Sequence, residues 1–198
     1  MTAPRSGLRP AVFLDRDGTL NEEIGFMDRM EGLKLFPWTA DAIRLLNRAG
    51  YCAVVTTNQS AIGRGLIDET FLRSVHHEMD ARLARAGARI DGYFFCPHHP
   101  DKALGAYRQV CECRKPRPGM ILRAARELGL DLTRSVMIGD RRLDVASGHA
   151  AGVRAILLRT GVGASEERAL TESEEQPDAI LNNLMEAVGW ILRNSSPS

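Results

Sequence analysis

The sequence has 198 residues, a length that one α/β domain commonly reaches, so we expect residues 1–198 to form a single domain. With 44% hydrophobic and 26% charged residues and a formal net charge of +1, the composition gives no sign of a nucleic-acid or membrane-surface partner. No apolar run approaches the roughly 20 residues of a membrane span and the N-terminus lacks the apolar core of a signal peptide, so we expect a cytoplasmic protein with reduced thiols.

The first half of the chain alternates apolar runs typical of strands with segments of helical spacing. Residues 11–15 predict a buried strand and residues 51–57 a second one. Between them, apolar positions repeat at helical spacing over 39–50, where Thr39 suits the N-cap and Gly50 the C-terminal stop. This alternation is typical of a βαβ unit.

The second half continues the alternation around one long loop, 97–117. Pro118 suits the first turn of the helix after this loop, and the polar segment 161–177 is expected to be mobile. We predict helices at 68–86, 118–129, 143–151 and 181–194, and strands at 91–96, 135–140, 153–159 and 178–181.

Strands joined by helices of this length predict an α/β fold, a Rossmann-like parallel sheet with helices on both faces. Ligands of such sheets bind beyond the carboxyl ends of the strands. Four residues with reactive or polar side chains stand at predicted strand ends: Asp15, Thr57, Cys96 and Asp140. We therefore expect the functional site at that edge of the sheet.

Two carboxylates, Asp15 and Asp17, follow the first predicted strand in the sequence DRDGT. While the chain stays extended both project from one face, with Arg16 on the other, and Gly18 then lets the backbone turn. Two close carboxylates suit a division of labour in which one attacks and the other exchanges protons. Taken alone, the same residues also suit an Asp- and Gly-rich turn.

Three later segments supply what phosphoryl transfer requires. Segment 56–60 carries hydroxyl and amide groups able to bind phosphate oxygens, Lys115 supplies an ammonium, and Asp140 and Asp144 supply hard oxygen ligands for magnesium. Each alone is explained by a strand end, a solvated cation or a helix cap. Their joint occurrence at strand ends favours phosphoryl chemistry.

The segments DRDGTL, TTNQS, RKP and GDRRLD resemble the four motifs of the haloacid dehalogenase (HAD) superfamily, in the same order. The resemblance implies the HAD fold and a Mg²⁺-dependent phosphatase with Asp15 as nucleophile and Asp17 as general acid and base. It also implies that Thr57 and Lys115 hold the phosphoryl group. By the same resemblance, Mg²⁺ would be bound by Asp140, Asp15 and the backbone carbonyl of Asp17. Asp144 would lie behind these ligands without binding the metal itself.

A loop at about 96–113 contains three cysteines and adjacent histidines in the pattern CPHHP…CEC. Three thiolates and one imidazole would make a closed tetrahedral zinc site with a structural role, and free thiols or a labile disulfide are the alternatives. The loop resembles the zinc-bearing loop of heptose bisphosphate phosphatases and some histidinol phosphatases. By that resemblance, the ligands are Cys96, His98, Cys111 and Cys113, and His99 is the rival to His98.

The other cysteine and the remaining histidines receive no chemical role. Cys52 lies in an apolar strand and is expected in the core, whereas His76 and His77 are expected on a polar helix and His149 in a short one.

The stretch between the first two motifs is too short for a large cap domain and leaves mainly a loop, 20–36, over the site. In the heptose bisphosphate phosphatases that this chain resembles, the positions that match Glu23, Ile24, Gly25, Phe26, Arg114 and Arg141 surround the sugar or its distal phosphate. Ile24 departs from the histidine that is common at its position in that family. The substrate-binding residues expected are Glu23, Ile24, Gly25, Phe26, Thr57, Asn58, Gln59, Ser60, Arg114, Lys115 and Arg141.

The resemblance implies an enzyme that removes the 7-phosphate of heptose 1,7-bisphosphate in nucleotide-activated heptose biosynthesis. We expect a monomer with a small sugar-phosphate substrate, a catalytic Mg²⁺ and a structural Zn²⁺. The alternatives are a histidinol-phosphate phosphatase and a non-catalytic, zinc-stabilised phosphate-binding domain.

Overall fold

The computed structural model describes residues 7–171 and 176–194. Within them, all strand pairings are parallel and form one six-stranded sheet. The strands β1 to β6 are Arg9–Leu14, Cys52–Asn58, Gly92–Cys96, Leu130–Gly139, Arg154–Leu158 and Ala179–Leu181. The helices α1 to α7 are Thr39–Arg48, Ser60–Gly63, Glu69–Arg85, Gly119–Leu128, Arg142–Ala150, Gly163–Arg168 and Leu184–Asn194. The predicted Rossmann-like parallel sheet is confirmed.

Each face of the sheet is covered by its own hydrophobic cluster. Along β1, Val12 and Leu14 join one cluster, whereas Ala11 and Phe13 join the other, because successive side chains of a strand point to opposite faces. All four side chains are fully buried. Such burial on both faces explains why the central strands are continuous apolar runs.

The strand order β3-β2-β1-β4-β5-β6 places a switch point between β1 and β4. The chain first adds β2 and β3 on one side of β1 and then crosses back to place β4 on the other. Leu14 pairs with Ile138, so the residues that follow these two strands meet at the same edge. A crevice at the switch point is the usual ligand site of such a sheet.

The start of α1 corrects one sequence prediction. Thr39 is the first residue of the helix, and Trp38 occupies the N-cap. Thr39 Oγ1 donates a hydrogen bond to Leu20 O at 2.7 Å, so this hydroxyl ties the helix to the loop after β1 instead of capping it.

Two other segments are more ordered than predicted. Strand β4 begins at Leu130, five residues earlier than its apolar core suggests, because Leu130 pairs with Arg9 before a register shift. The polar segment 161–177 contains helix α6, which an ion pair of 2.8 Å between Arg142 and Glu166 ties to α5. Residues 172–175 of that segment lie outside the described residues.

The connection between β1 and β2 consists of a loop, a 3₁₀ turn at Met30–Gly32 and α1, so no large cap domain stands there. Within the described ranges, no helix has both the length and the apolar character that crossing a bilayer requires.

Candidate active site

Lys115 lies between two carboxylates at the edge where β1 and β4 end. Its Nζ is 2.8 Å from Asp15 Oδ1 and 2.5 Å from Asp144 Oδ1, and all three side chains are buried. Burial alone lowers the pKa of Lys115, but the charges of Asp144 and Asp15 outweigh it and raise that pKa well above its usual range. The ammonium is therefore charged at neutral pH and faces the predicted nucleophile.

Asp144 holds the segment after β4 as well as Lys115. Its Oδ2 accepts a hydrogen bond from Arg141 N at 3.0 Å, at the start of α5. A Cβ placed on Gly139 would lie 2.2 Å from Asp144 Cγ, so only glycine lets the strand end approach this carboxylate. Asp144, predicted to lie behind the magnesium ligands, thus orients Lys115.

Asp140 completes a group of three buried carboxylates. Oxygens of Asp15, Asp140 and Asp144 lie within 4.8 Å of one another. Asp140 Oδ2 accepts a hydrogen bond from Val162 N at 2.9 Å, whereas Oδ1 is buried and has no hydrogen-bond partner among the described residues. Burial and then the charges of Asp15 and Asp144 raise the pKa of Asp140 to about 8.

This group fits a divalent cation. When ionised, three carboxylates against the ammonium of Lys115 would leave negative charge in a buried place, which is unfavourable without a counter-ion. Carboxylate oxygens are the ligands that Mg²⁺ prefers. Gly18, at φ 81°, packs directly on Asp140, where a Cβ would lie 2.2 Å from Oδ2. The glycine of DRDGT therefore lets the backbone of the loop pack closely on Asp140.

Asp17 is held by more donors than the sequence indicated. Arg16 Nε and Nη2 donate to its two oxygens at 3.0 and 2.7 Å, and Asn21 Nδ2 and Gln59 Nε2 each donate at 2.9 Å. Burial opposes ionisation, but the charge and hydrogen bonds of Arg16 outweigh it and lower the pKa of Asp17. Asp17 is therefore ionised in the substrate-free protein, the form that acts as a base.

The position of Arg16 corrects the expectation that it faces away from the carboxylates. Strand β1 ends at Leu14, and the amides of Thr19, Leu20 and Asn21 all donate to Arg16 O, so the chain turns at once. Alternation of side chains applies only to extended backbone. The guanidinium folds back onto Asp17 and is only 2% exposed.

The residues after β2 contribute in different ways. Thr57 is buried beside the predicted nucleophile, Asp15, and its Oγ1 accepts a hydrogen bond from Gln59 Nε2 at 3.0 Å. The amide of Asn58 pairs with the backbone of Lys115 in both directions, at 3.1 and 3.2 Å. Asn58 thus aligns Lys115, a role that the sequence pattern did not indicate.

A pocket of about 270 Å³ opens above Asp15 and is large enough for a small sugar phosphate. It brings together ten of the eleven predicted substrate-binding residues. Its lining includes Glu23, Gly25, Phe26, Thr57, Asn58, Gln59, Ser60, Arg114, Lys115 and Arg141, together with Asp17. Ile24 is not part of the lining: its side chain is 46% exposed and packs over Gly32, where a Cβ would meet Ile24 Cδ1 at 2.6 Å.

The two arginines of the rim differ in their pairing. Arg141 forms an ion pair of 2.9 Å with Glu23, which neutralises it. Arg114 Nη1 donates to His98 O at 3.0 Å, a contact that directs the side chain without neutralising it. Arg114 therefore presents a net positive charge to the pocket.

A second candidate metal site lies in the loop after β3. Its Sγ atoms are 3.5 Å apart for Cys96 and Cys111, 3.0 Å for Cys113 and Cys96, and 3.3 Å for Cys113 and Cys111. His98 Nδ1 lies 3.7 Å from Cys96 Sγ and 3.3 Å from Cys113 Sγ. Four ligands with zinc bonds of about 2.0–2.3 Å stand about 3.5–3.8 Å apart at the corners of a tetrahedron, so this cluster fits zinc with little adjustment.

The structure separates the two adjacent histidines. His98 belongs to the cluster, whereas His99 Nδ1 accepts hydrogen bonds from the amides of Asp101 and Lys102 at 3.2 and 3.1 Å. The hydrogen bond that Cys113 shares with Cys96 lowers the pKa of Cys113, which favours the thiolate form that zinc ligation requires.

Two side chains without a predicted role, Cys52 and His76, are both buried. Cys52 is fully buried in the core, as predicted. His76 is also buried, which corrects its assignment to a polar helix, and its ring stacks on Tyr93 at 4.2 Å.

Known proteins resemble this chain in sequence. A family model described as HAD-hydrolase-like matches residues 112–187, which contain Lys115 and Asp140. A D-glycero-β-D-manno-heptose-1,7-bisphosphate 7-phosphatase of Photorhabdus laumondii subsp. laumondii is 41% identical over 88% of this chain and 91% of its own length. The enzyme of the same name from Escherichia coli is 38% identical over 96% of this chain and 97% of its own length.

A solved structure extends the similarity to the fold. The crystal structure of D,D-heptose 1,7-bisphosphate phosphatase from B. bronchiseptica, complexed with magnesium and phosphate, superposes with a TM-score of 0.84 at 30% identity. The match covers 94% of this chain and 99% of that chain. The HAD-like fold class is therefore confirmed.

Proposed function

The chain belongs to the family of D-glycero-β-D-manno-heptose-1,7-bisphosphate 7-phosphatases among the HAD-like hydrolases, and from this we propose that it hydrolyses the 7-phosphate of that sugar through a phosphoaspartate on Asp15. One observation carries the proposal: Lys115 Nζ lies 2.8 Å from Asp15 Oδ1 at the base of a pocket lined by Thr57. This arrangement unites a nucleophile, an ammonium and a hydroxyl around one phosphoryl group.

In the first step Asp15 attacks phosphorus, so the bond from its carboxylate oxygen to phosphorus forms and the bond from phosphorus to sugar O7 breaks. Asp17, ionised in the substrate-free protein, takes up a proton before this step and gives it to O7. Lys115 and Thr57 bind the oxygens of the transferring group and stabilise its negative charge. The sugar leaves with one phosphate fewer.

In the second step water attacks the phosphorus of the phosphoaspartate, and Asp17 takes the proton of that water. The bond from phosphorus to Asp15 then breaks, which releases inorganic phosphate and restores the carboxylate. The contacts from Arg16, Asn21 and Gln59 favour the ionised form of Asp17, which this step requires. They also fix the carboxylate beside the pocket.

We assign the magnesium ligands to Asp15, Asp140 and the backbone carbonyl of Asp17. Mg²⁺ supplies positive charge that offsets the repulsion between the carboxylate and phosphate oxygens. The buried and unpartnered Oδ1 of Asp140 supports this assignment. The carboxylate of Asp17 is occupied by Arg16, Asn21 and Gln59, which leaves its main-chain oxygen as the group to bind the metal.

We assign Zn²⁺ to Cys96, His98, Cys111 and Cys113, with a structural role. Four protein ligands leave no coordination position for water or substrate. Arg114 and Lys115 follow Cys113 directly, so a closed site would hold both cations in place. The monomeric state and the cytoplasmic location stay predictions.

The 1-phosphate of the substrate needs its own cation, because Lys115 is occupied by the transferring 7-phosphate. Arg114 suits this role, since it lines the pocket and carries no carboxylate partner among the described residues, whereas Arg141 is paired with Glu23. Histidinol phosphate has no second phosphate, and its ammonium would be repelled by Arg114.

A substrate panel tests the proposal. With Mg²⁺, the parent protein should release phosphate from the β anomer of heptose 1,7-bisphosphate with a higher kcat/KM than from heptose 7-phosphate or histidinol phosphate. The Asp15→Asn variant should keep the fold and lose turnover, because an amide cannot attack phosphorus. Faster turnover of histidinol phosphate would favour that enzyme instead. Turnover of Asp15→Asn at the parent rate would reject the phosphoaspartate.

A further inference from the structure

Arg64, at the end of α2, contacts the ring face of Phe26 in the loop at 20–36, which we call the substrate loop. The Cζ atom of Arg64 lies 4.9 Å from the centroid of the Phe26 ring. A guanidinium at this distance attracts the electron-rich face of an aromatic ring. Arg64 itself is not part of the pocket lining, whereas Phe26 is.

The Phe26 ring lies outside the hydrophobic core. It is 45% exposed and belongs to neither core cluster, although its neighbour Met27 is buried in one of them. The residue before it, Gly25, adopts φ 82°, and its amide donates to Glu23 Oε1 at 2.7 Å. The loop backbone is thus shaped locally, and Arg64 contacts the Phe26 ring from outside this loop.

The support of Arg64 comes from the loop that carries the Cys/His cluster. Leu104 N donates to Gly63 O at 2.7 Å, and Gln59 N donates to Cys96 O at 2.8 Å, so both ends of α2 are tied to that loop. A Cβ on Gly63 would lie 2.5 Å from Pro97 O, which shows how closely the two backbones approach. The backbone that carries Arg64 is therefore anchored at both ends of α2.

The charges around Arg64 also favour a ring as its partner. Arg64 lies near enough to Arg114 for the two positive charges to repel each other, and its Nε is buried without a hydrogen-bond partner among the described residues. A ring face offers stabilisation to a guanidinium without adding a carboxylate that would neutralise the rim.

We propose that Arg64 is a positioning residue for substrate specificity: it holds Phe26 at the mouth of the pocket so that the ring packs against the sugar. The role for the sugar rests on the function proposed above, whereas the effect on the loop does not. The side chain of Arg64 thus connects the loop at 96–113, through α2, with the substrate loop.

Amide hydrogen exchange in the substrate-free protein tests the effect on the loop. Arg64→Met keeps an unbranched side-chain stem and removes the guanidinium, so exchange over residues 24–28 should accelerate roughly two- to fivefold, as expected for loss of one partly exposed cation–π contact. Arg64→Lys should restore most of the protection. Arg154→Met is the matched control, because Arg154 lies 5.1 Å over the Trp190 ring, remote from the site. Unchanged exchange at 24–28 in Arg64→Met would overturn the proposal.

Kinetics test the consequence for the sugar. Arg64→Met should raise KM for heptose 1,7-bisphosphate roughly two- to fivefold with kcat changed less, and should have no further effect in a Phe26→Ala background. Additive effects in the double variant would overturn the role in specificity. If the parent protein did not hydrolyse this substrate, the proposed function would fail, while the exchange experiment would still decide whether Arg64 holds the loop.

Discussion

Lys115 shows how strongly single side chains in this site depend on their partners. It is 3% exposed and is flanked by Asp15 and Asp144, while Asn58 aligns its backbone. A buried charge that loses one partner is costly, because the remaining charge is left uncompensated. The residues around Lys115 therefore act as one unit, and substitutions among them will not be additive.

Arg114 is the residue for which we expect a change in substrate preference. Arg114→Ala should lower kcat/KM for heptose 1,7-bisphosphate by roughly tenfold or more, the loss of a charge-assisted contact of about 1.5–3 kcal/mol. Turnover of heptose 7-phosphate should fall much less, since it lacks the second phosphate. Measurement of kcat/KM on both substrates checks this.

Arg117→Ala provides the control, because Arg117 lies in the same segment but is 45% exposed and pairs with Glu112. It should leave both substrates near their parent rates. An equal loss on both substrates in Arg114→Ala would contradict a contact to the second phosphate.

Among the elements, α3 carries a buried histidine whose protonation opposes folding. Burial and then the charge of Arg16 lower the pKa of His76 to about 3, against an opposing effect of Asp17. The ring stacks on Tyr93, and its Nε2 has no hydrogen-bond partner among the described residues. His76 is therefore neutral in the folded protein throughout the neutral range.

His76 should make the protein less stable in acid. The unfolded chain binds a proton near pH 6.5 and the folded chain only near pH 3, so the unfolding free energy should fall as the pH drops through this window. One such group changes the unfolding free energy by up to about 1.4 kcal/mol per pH unit within this window, and it adds no pH dependence above the window. In His76→Phe, urea denaturation between pH 7 and about pH 4.5 should show a flatter dependence.

The exposed neighbour His77 supplies the comparison. His77→Gln should keep the pH dependence of the parent protein. If His76→Phe and the parent protein lost stability in parallel, His76 would not be the group responsible.

We expect the loop at 96–113 to depend on bound zinc more than on a core of its own. Cys113→Ser should reduce zinc from about one ion per chain to a small fraction, and should lower the Tm by roughly 6–12 °C for a loss of about 3 kcal/mol. Metal analysis and calorimetry measure the two effects. Cys52→Ala, in the core strand β2, should keep its zinc. A metal-free parent protein with the same Tm as the loaded protein would refute a structural zinc.

At the scale of the whole molecule, the parallel sheet brings together carboxylates that are far apart in sequence. Asp15 follows β1 and Asp140 follows β4, and these strands are neighbours only because the chain crosses back over the sheet. The repulsion of Asp15 by Asp140 and Asp144 therefore arises in the folded state. A cation at this place should stabilise the fold as a whole.

Magnesium should accordingly raise the Tm of the substrate-free protein. At about 100 times its Kd, a ligand that binds only the folded state adds about 2.7 kcal/mol, which corresponds to roughly 5–11 °C for a chain of this size. Scanning calorimetry with and without Mg²⁺ measures the shift. In Asp140→Asn the shift should largely disappear, whereas Asp101→Asn, on the exposed surface, should keep it. An equal shift in both variants would place the ion elsewhere.

The sequence by itself determined the alternation of strands and helices and the residues at the strand ends. Apolar runs with β-branched side chains, and turns that require glycine, depend on local physics, and so β1, β2 and the C-terminal glycine of α4 could be predicted. The four HAD motifs and the CPHHP…CEC loop also lie in short stretches whose chemistry is visible without the fold. The predicted ligands Asp140 and Cys96, among others, came from this information.

Only the tertiary structure decided how side chains pair across the chain. Arg16 turns back onto Asp17, Glu23 neutralises Arg141, and Ile24 leaves the pocket that its neighbours line. The contact between Arg64 and Phe26 joins two loops that the sequence separates. Such choices depend on loop conformation and on which charges meet, and these follow from long-range packing that no local pattern encodes.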